Sequence, residues 1–460
     1  MATQIPRQIP IQPVNSFQAS FRLPNSPWLA KHSLLIAALA DGDSQITGAL
    51  FCDDSLRILT ALNSLGFEIN MEIDNHRSNT IISGKCGKLP AGEAHINIGE
   101  DLDVLAMLAA TCTLGSGQYI IDGSPALQKV DLQSLFQPFR ELGANIAFLK
   151  QPGCLPIQIN GGKLKGGAIK LDAFMPGKVI NALLIIAPYM PDGLTIEFIS
   201  PLRFRPHLEM ALLLMQQFGV IADINDDFSA ISVKPTSYQA RRHEIEPDAA
   251  YAGYFLAAAA ITHNSKCTLQ NIGSASVQPN ASFALVLQDM GATATYLDNA
   301  VTVESPPIGR LMGIDVDMSR MSDMIHILAA TAVFADAPTT IRNVGRLREP
   351  DYDALEVLQT QLIKIGVDAE VHADSLIIDP IPAKQLQPAT IQAGLDPRLA
   401  MSFAIIGLQT GGITIDQPQC VFQALPPFFD YLKMLHPKAA IRDISPAQLP
   451  GFTVALGDEL

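Results

Sequence analysis

The feature that most constrains this chain is a recurrence. An apolar residue followed by glycine closes a helical stretch at Leu65-Gly66, Leu142-Gly143, Phe218-Gly219, Met290-Gly291 and Ile365-Gly366. The spacings are about 70–77 residues, which is long for a solenoid repeat and suits a small folded unit. Upstream of each glycine lies an Ala-rich helix that is apolar nearly all round: HSLLIAALA, DVLAMLAAT, KVINALLIIA, AGYFLAAAAI and MIHILAATAVFA, with RLAMSFAIIGL opening a sixth copy. Helices of that kind are buried ones. A strand follows each: SQITGAL, GQYIIDG, LTIEFIS, KCTLQNI, TTIRNV and GITIDQP. The sixth copy is eroded and ends near Leu435, where His436-Pro437 replaces the glycine.

The repeat sets the architecture. At 460 residues and 48% hydrophobic content the chain holds more than one core. Three units around their buried helices make one domain, and six make two similar α/β domains. The first is expected over residues 23–242. The second takes residues 1–22 plus 243–438, so the N-terminal strand belongs with the later half. Residues 439–460 form a tail without counterpart in the pattern. Pro27, Pro206, Pro350 and Pro427 mark expected helix starts, where a missing N–H costs nothing.

Charge and composition narrow the function. A net charge of −14 argues against a nucleic-acid partner, which demands a basic face. An anionic metabolite remains open if its cations are concentrated in one place. The six cysteines show no CxxC or metal spacing and read as reduced thiols of a cytoplasmic protein. The N-terminus has no signal-peptide apolar core, and the apolar runs at 179–187 and 251–261 are too short to span a bilayer. Neither a metal constellation nor a cofactor is implied; nine histidines occur without HxxxH spacing, and GEDLDV lacks the calcium-loop pattern.

This architecture, with LLIAALADG and the CDD that follows it, IDG, YFLAAAAI and GIDVDM…D…LAATAVFA…TIRNV, resembles the EPSP synthase (3-phosphoshikimate 1-carboxyvinyltransferase) family over roughly residues 20–435. The resemblance implies two globular domains, an inside-out α/β barrel with three units each, and a small anionic hydroxylated, shikimate-like substrate in the cleft between them. The family's chemistry protonates the methylene of phosphoenolpyruvate, lets a hydroxyl attack the adjacent carbon, and expels phosphate. It needs cations for phosphate and carboxylates, and an acid and a base that exchange one proton.

Motif by motif, the resemblance is strong in the scaffold and weak in the site. In the first motif, P-G-S-K-S-x-S-x-R, the Lys falls at Pro27 and the Arg at His32; Lys31 stands nearby. The G-N-A-G-T-x-x-R motif becomes Gly99 to Ala106: its polar groups give way to carboxylates, which read first as acids suited to a helix start and otherwise as groups that repel an anion, and its Arg becomes Ala106. The R-x-R-P loop after Asp122-Gly123 holds Lys129 but no Arg, and no Cys of the kind found in UDP-N-acetylglucosamine enolpyruvyl transferases. Ser-Ser-Gln becomes Pro176-Gly177-Lys178, and the family's Tyr becomes Arg203, in a run with Arg205 and His207 that is either a solvated loop or, with Lys178, a replacement anion site.

The later half keeps more. Asp323 matches the catalytic Asp, Glu349 the family's Glu, and Arg348 stands where a Lys is usual. Tyr352 replaces the following Arg. The D-H-R motif reads Asp396-Pro397-Arg398, and the late Lys falls at Gln423. The expected site is thus Asp323 and Glu349 as base and acid, with Lys178, Arg203, Arg205, Arg348, Arg398 and His32 toward substrate. Three readings follow: an enzyme of this fold with altered chemistry or substrate, acting by carboxyvinyl transfer or a related proton-transfer or elimination reaction; a catalytically inactive pseudoenzyme with a protein partner; or the ordinary 3-phosphoshikimate 1-carboxyvinyltransferase of aromatic amino-acid biosynthesis.

Overall fold

A computed structural model describes residues 6–49, 53–74, 77–162, 164–172, 174–202, 205–349 and 352–436; the Glu349 side chain is outside the description. The chain divides into two compact units, Asn25–Glu246 and Met1–Pro24 with Pro247–Leu460.

The Ala-rich segments form helices Pro27–Leu39, Leu102–Leu114, Gly177–Ile186, Ala249–Ile261, Ile325–Ala332 and Pro397–Thr410. Each is buried over most or all of its circumference. This is why the segments are apolar at nearly every position instead of along one stripe. Ala makes close approach possible: in the second unit the helices Ala249–Ile261, Ile325–Ala332 and Pro397–Thr410 pack on one another. The five helix-ending glycines all adopt positive φ, between 83° and 99°, a backbone that a Cβ disfavours.

Starts are set by caps. Ser26, Asp101, Asp248 and Asp396 each accept backbone N–H groups at the head of a buried helix. Pro27 and Pro206 open their helices; Pro427 instead sits one residue ahead of Phe428–Met434, and Pro350 lies outside the described residues, the next helix beginning at Ala354 behind the Asp353 cap.

The sheets repeat one order. In Asn25–Glu246, strand Gln118–Asp122 runs parallel to Glu93–Asn97 and antiparallel to Ile157–Asn160, which pairs with Asn145–Phe148. The parallel pair brackets a buried helix, the crossover such a pair requires. Two deviations close the units. Strand Arg242–Glu244 supplies the missing parallel partner of Asp41–Thr47. In the second unit Gln18–Phe21 does this for Lys266–Gln270, and Gln8–Pro10 lies antiparallel to Ile413–Asp416. Among the described residues, the N-terminal strand is the antiparallel partner of the sixth copy's strand. Phe21 holds the connection, edge-on to Phe255 at 5.1 Å and stacked on Tyr431 at 5.2 Å.

Backbone contact limits one sheet position strictly. A Cβ on Gly84 would lie 2.3 Å from the Ala40 carbonyl oxygen and 2.6 Å from that of Ala37. Both are main-chain atoms that cannot rotate aside. Gly84→Ala is therefore expected to lower unfolding free energy by about 1–3 kcal/mol, read as a shift in the urea midpoint; an unchanged midpoint would show that the strand yields freely.

Candidate active site

Chemistry-bearing residues gather in two places, one in each unit. In the second unit a cavity of about 890 Å³ is lined by Asp248, Tyr251, Tyr254, Ser322, Asp323, Arg346, Tyr352, Asp396 and Arg398, among others. Asp323 sits in the 3-10 turn Ser322–Met324 that leads into the buried helix Ile325–Ala332. Asp248 and Asp396 enter as N-caps of two other buried helices. The cavity wall is thus made of helix starts, where backbone N–H groups and the dipole favour negative charge.

Two guanidiniums answer these carboxylates. Arg398 is gripped by Asp396, Nε to Oδ1 at 3.1 Å and Nη2 to Oδ2 at 2.9 Å. Burial disfavours both charges, but the pairing more than offsets it: the Asp396 carboxyl is held below its ordinary value and the Arg398 guanidinium above. Burial lowers Arg346, and Asp323 partly restores it. Burial also pushes Asp248 up to about 6, with the Asp323 charge adding to the rise against its backbone hydrogen bonds. His326, 1% exposed, faces Asp396 with Nε2 at 3.7 Å from Oδ2.

Of the expected site residues, Asp323 and Arg398 line this cavity. Arg348 does not: its Nε pairs with Asp353 at 3.2 Å, across the short hairpin Arg348–Glu349 and Tyr352–Asp353. Arg346, two residues earlier, takes the lining position. Sequence reasoning missed it because both arginines fall in one motif; the 3-10 turn Gly345–Leu347 decides which one reaches the cavity. His326 was also missed. It lies three residues after Asp323 on the buried helix, the spacing of one helical face, while the D-H-R motif itself carries Pro397.

The first unit holds the second cluster. Lys31, 5% exposed, has Nζ 2.9 Å from Asp101 Oδ2 and 3.2 Å from Asp103 Oδ2. Lys178 Nζ lies 3.8 Å from Asp103 Oδ1. Burial pushes Asp103 up, yet Lys31 and Lys178 outweigh it and hold the carboxyl low. His32 is expected to face substrate from the sequence; instead it is 2% exposed, stacked on Trp28 at 3.7 Å, with Nδ1 2.7 Å from the Trp28 carbonyl oxygen. Burial drops it to about 3, so it is neutral and no cation. Arg205 lies over the Phe228 ring at 4.7 Å and donates to the Asp227 carbonyl oxygen. Arg203 lies outside the described residues, as does the Glu349 side chain.

The two buried histidines predict acid sensitivity. Around His32 stand Lys31, Asp103 and His207; around His326 stand Asp396, Arg398 and Asp323. Burial drops His326 to about 4. The unfolded chain binds a proton near 6.5 and the folded one does not. Each neutral histidine therefore adds stability that is complete above 6.5 and is lost as pH falls toward about 3 and about 4 respectively. The slope is at most about 1.4 kcal/mol per pH unit per histidine. Urea unfolding at pH 6.5 and 5.0 should show the loss, and His326→Gln should flatten it; equal slopes in both proteins would remove His326 as a source.

Among the described residues no group of three or more His, Cys, Asp or Glu is arranged to hold a metal ion, and no helix is long and apolar enough to cross a membrane.

The described chain is thus a two-unit α/β protein built on a repeated helix–strand unit, with a carboxylate- and guanidinium-lined cavity at helix starts of its second unit. A family profile described as EPSP synthase (3-phosphoshikimate 1-carboxyvinyltransferase) matches residues 11–432, and the chain belongs to that family. The 3-phosphoshikimate 1-carboxyvinyltransferase of Trichormus variabilis is 34% identical over 418 residues, covering 91% of this chain and 96% of that protein. That of Sulfurovum sp. is 33% identical, covering 93% and 99%, and the chloroplastic protein of Arabidopsis thaliana is 32% identical, covering 93% and 84%. The solved structure of EPSP synthase from Acinetobacter baumannii superposes with a TM-score of 0.79 at 23% identity, over 94% of this chain and 98% of that one. That likeness establishes the fold.

Proposed function

We propose that this chain is an enzyme acting on a small anionic hydroxylated ring compound, by carboxyvinyl transfer or a related proton-transfer or elimination step. The observation that carries this reading is the convergence of Asp323 with Arg346 and Arg398 on one cavity. Asp323 is the proton-transfer group, with Glu349 as its partner in the exchange. Arg398 and Arg346 hold the anionic group of the substrate, and Asp396 fixes the plane of Arg398. In carboxyvinyl transfer, a proton adds to the methylene of phosphoenolpyruvate, a substrate hydroxyl bonds to the adjacent carbon, and its proton goes to a base. Loss of phosphate and of one methyl proton then restores the vinyl group.

The curated relatives are named for the reaction on 3-phosphoshikimate, which makes that compound the first acceptor to test. Phosphate release from phosphoenolpyruvate is measured with shikimate 3-phosphate and with a panel of other hydroxylated ring acids. Release that depends on Asp323 supports the reading, and the acceptor that works distinguishes the ordinary reaction from an altered one. A second reading, a non-catalytic binding subunit, is favoured by the closure of Lys31 and Lys178 by carboxylates and by the neutrality of His32. Neither phosphate release nor thermal stabilisation with any of these acids, together with recovery of a partner protein in pull-downs, would favour it.

A further inference from the structure

The charged cluster of Asn25–Glu246 has a property that its individual pairs do not reveal. Lys31 and Lys178 stand on two different helices, Pro27–Leu39 and Gly177–Ile186. Both are answered by carboxylates from the start of a third, Leu102–Leu114. Asp101 divides its two oxygens between tasks. Oδ2 meets Lys31, while Oδ1 accepts the Asp103 and Val104 N–H groups at 2.7 and 3.1 Å. The helix start and the buried ammonium, each an attractive place for a phosphate or carboxylate, are therefore satisfied from within. Asp103 does the same between Lys31 and Lys178, one oxygen to each. An incoming anion would have to displace these carboxylates or lie against them, and like charges at such range repel.

We propose that Asp101 and Asp103 are specificity-determining residues that act as built-in counter-ions. They close Lys31 and Lys178 to ligand phosphate or carboxylate, so that this unit takes up no anionic group there. The closure does not rest on the function proposed above, and its test involves no turnover.

Trp28 is the only tryptophan of the chain and stacks on His32, the neighbour of Lys31, at 3.7 Å. Its fluorescence reports on the cluster. The full chain is titrated with inorganic phosphate against sodium chloride of equal ionic strength. The wild-type protein should show no saturable, phosphate-specific change. Asp101→Asn with Asp103→Asn keeps the capping oxygen and removes both charges; it should bind phosphate at least tenfold more tightly, and adding Lys31→Met should abolish the gain. Asp103→Asn alone, at a side chain that is 34% exposed, is the second variant should the double one fail to fold, and a smaller gain is expected. Wild-type quenching that saturates and is lost in Lys31→Met would overturn the proposal. So would a folded double or single variant that gains nothing.

Discussion

Exchanging Asp323 for Asn is expected to lower turnover by about 10²–10⁴-fold, the usual contribution of a positioned proton-transfer group. The substitution is nearly isosteric and leaves the hydrogen-bonding outline of the turn Ser322–Met324 in place. It removes only the ability to take and return a proton and the charge that faces Arg346 and Asp248. The melting temperature should therefore stay close to wild type. Removing this charge also takes away one cause of the raised Asp248 carboxyl, so Asp248 should titrate lower in the variant, a shift that carboxyl NMR reads directly. Turnover within a few-fold of wild type would place the proton transfer elsewhere in the cavity. A large loss accompanied by a large drop in melting temperature would mean that Asp323 is structural.

Asp396→Ala is expected to cost about 2–3 kcal/mol of unfolding free energy, the sum of a lost cap and lost charge-assisted hydrogen bonds, because the Arg398 guanidinium, 35% exposed, regains part of its hydration. The carboxylate is 5% exposed and has three dependants. It grips the Arg398 guanidinium with both oxygens, it caps Pro397–Thr410 by accepting the Arg398 N–H at 2.9 Å, and it faces His326. Alanine leaves the half-buried guanidinium without its partner and the helix uncapped. Asp396→Asn keeps the cap oxygen and should recover part of the loss, since a lost cap is worth about 1 kcal/mol by itself. Because the folded carboxyl is held below its ordinary value, its contribution is complete above the ordinary carboxylate range and fades as pH falls through the lowered one. The deficit of the variant should therefore shrink in acid. Urea midpoints at pH 7 and near pH 3, below the ordinary carboxylate value, decide the matter; an alanine variant as stable as wild type at neutral pH would show that Arg398 finds another partner.

The helix-ending glycines, the buried helices and their following strands were legible because each is a local rule. A residue free to take positive φ ends a helix, and an apolar surface all round requires burial. The family likeness, read from LLIAALADG through TIRNV, is the same scaffold information in another form. Asp323 and Arg398 were legible as motif positions for a related reason, since each stands at the head of a buried helix whose start the sequence marks.

The repeated unit, its fold family and the helix starts on which a site is built are therefore local properties of the chain. Tertiary structure decided which charges meet. Lys31 meets Asp101 and Asp103 across 70 and 72 residues of chain, and no local pattern joins them. Arg346 reaches the cavity and Arg348 turns to Asp353 because of one 3-10 turn. His32, a candidate substrate ligand by position, becomes neutral core because burial outweighs its charge. The reason is common to all three: backbone conformation follows from near neighbours along the chain, whereas the free energy of a charge depends on distance and solvent in space, which only the packed molecule sets.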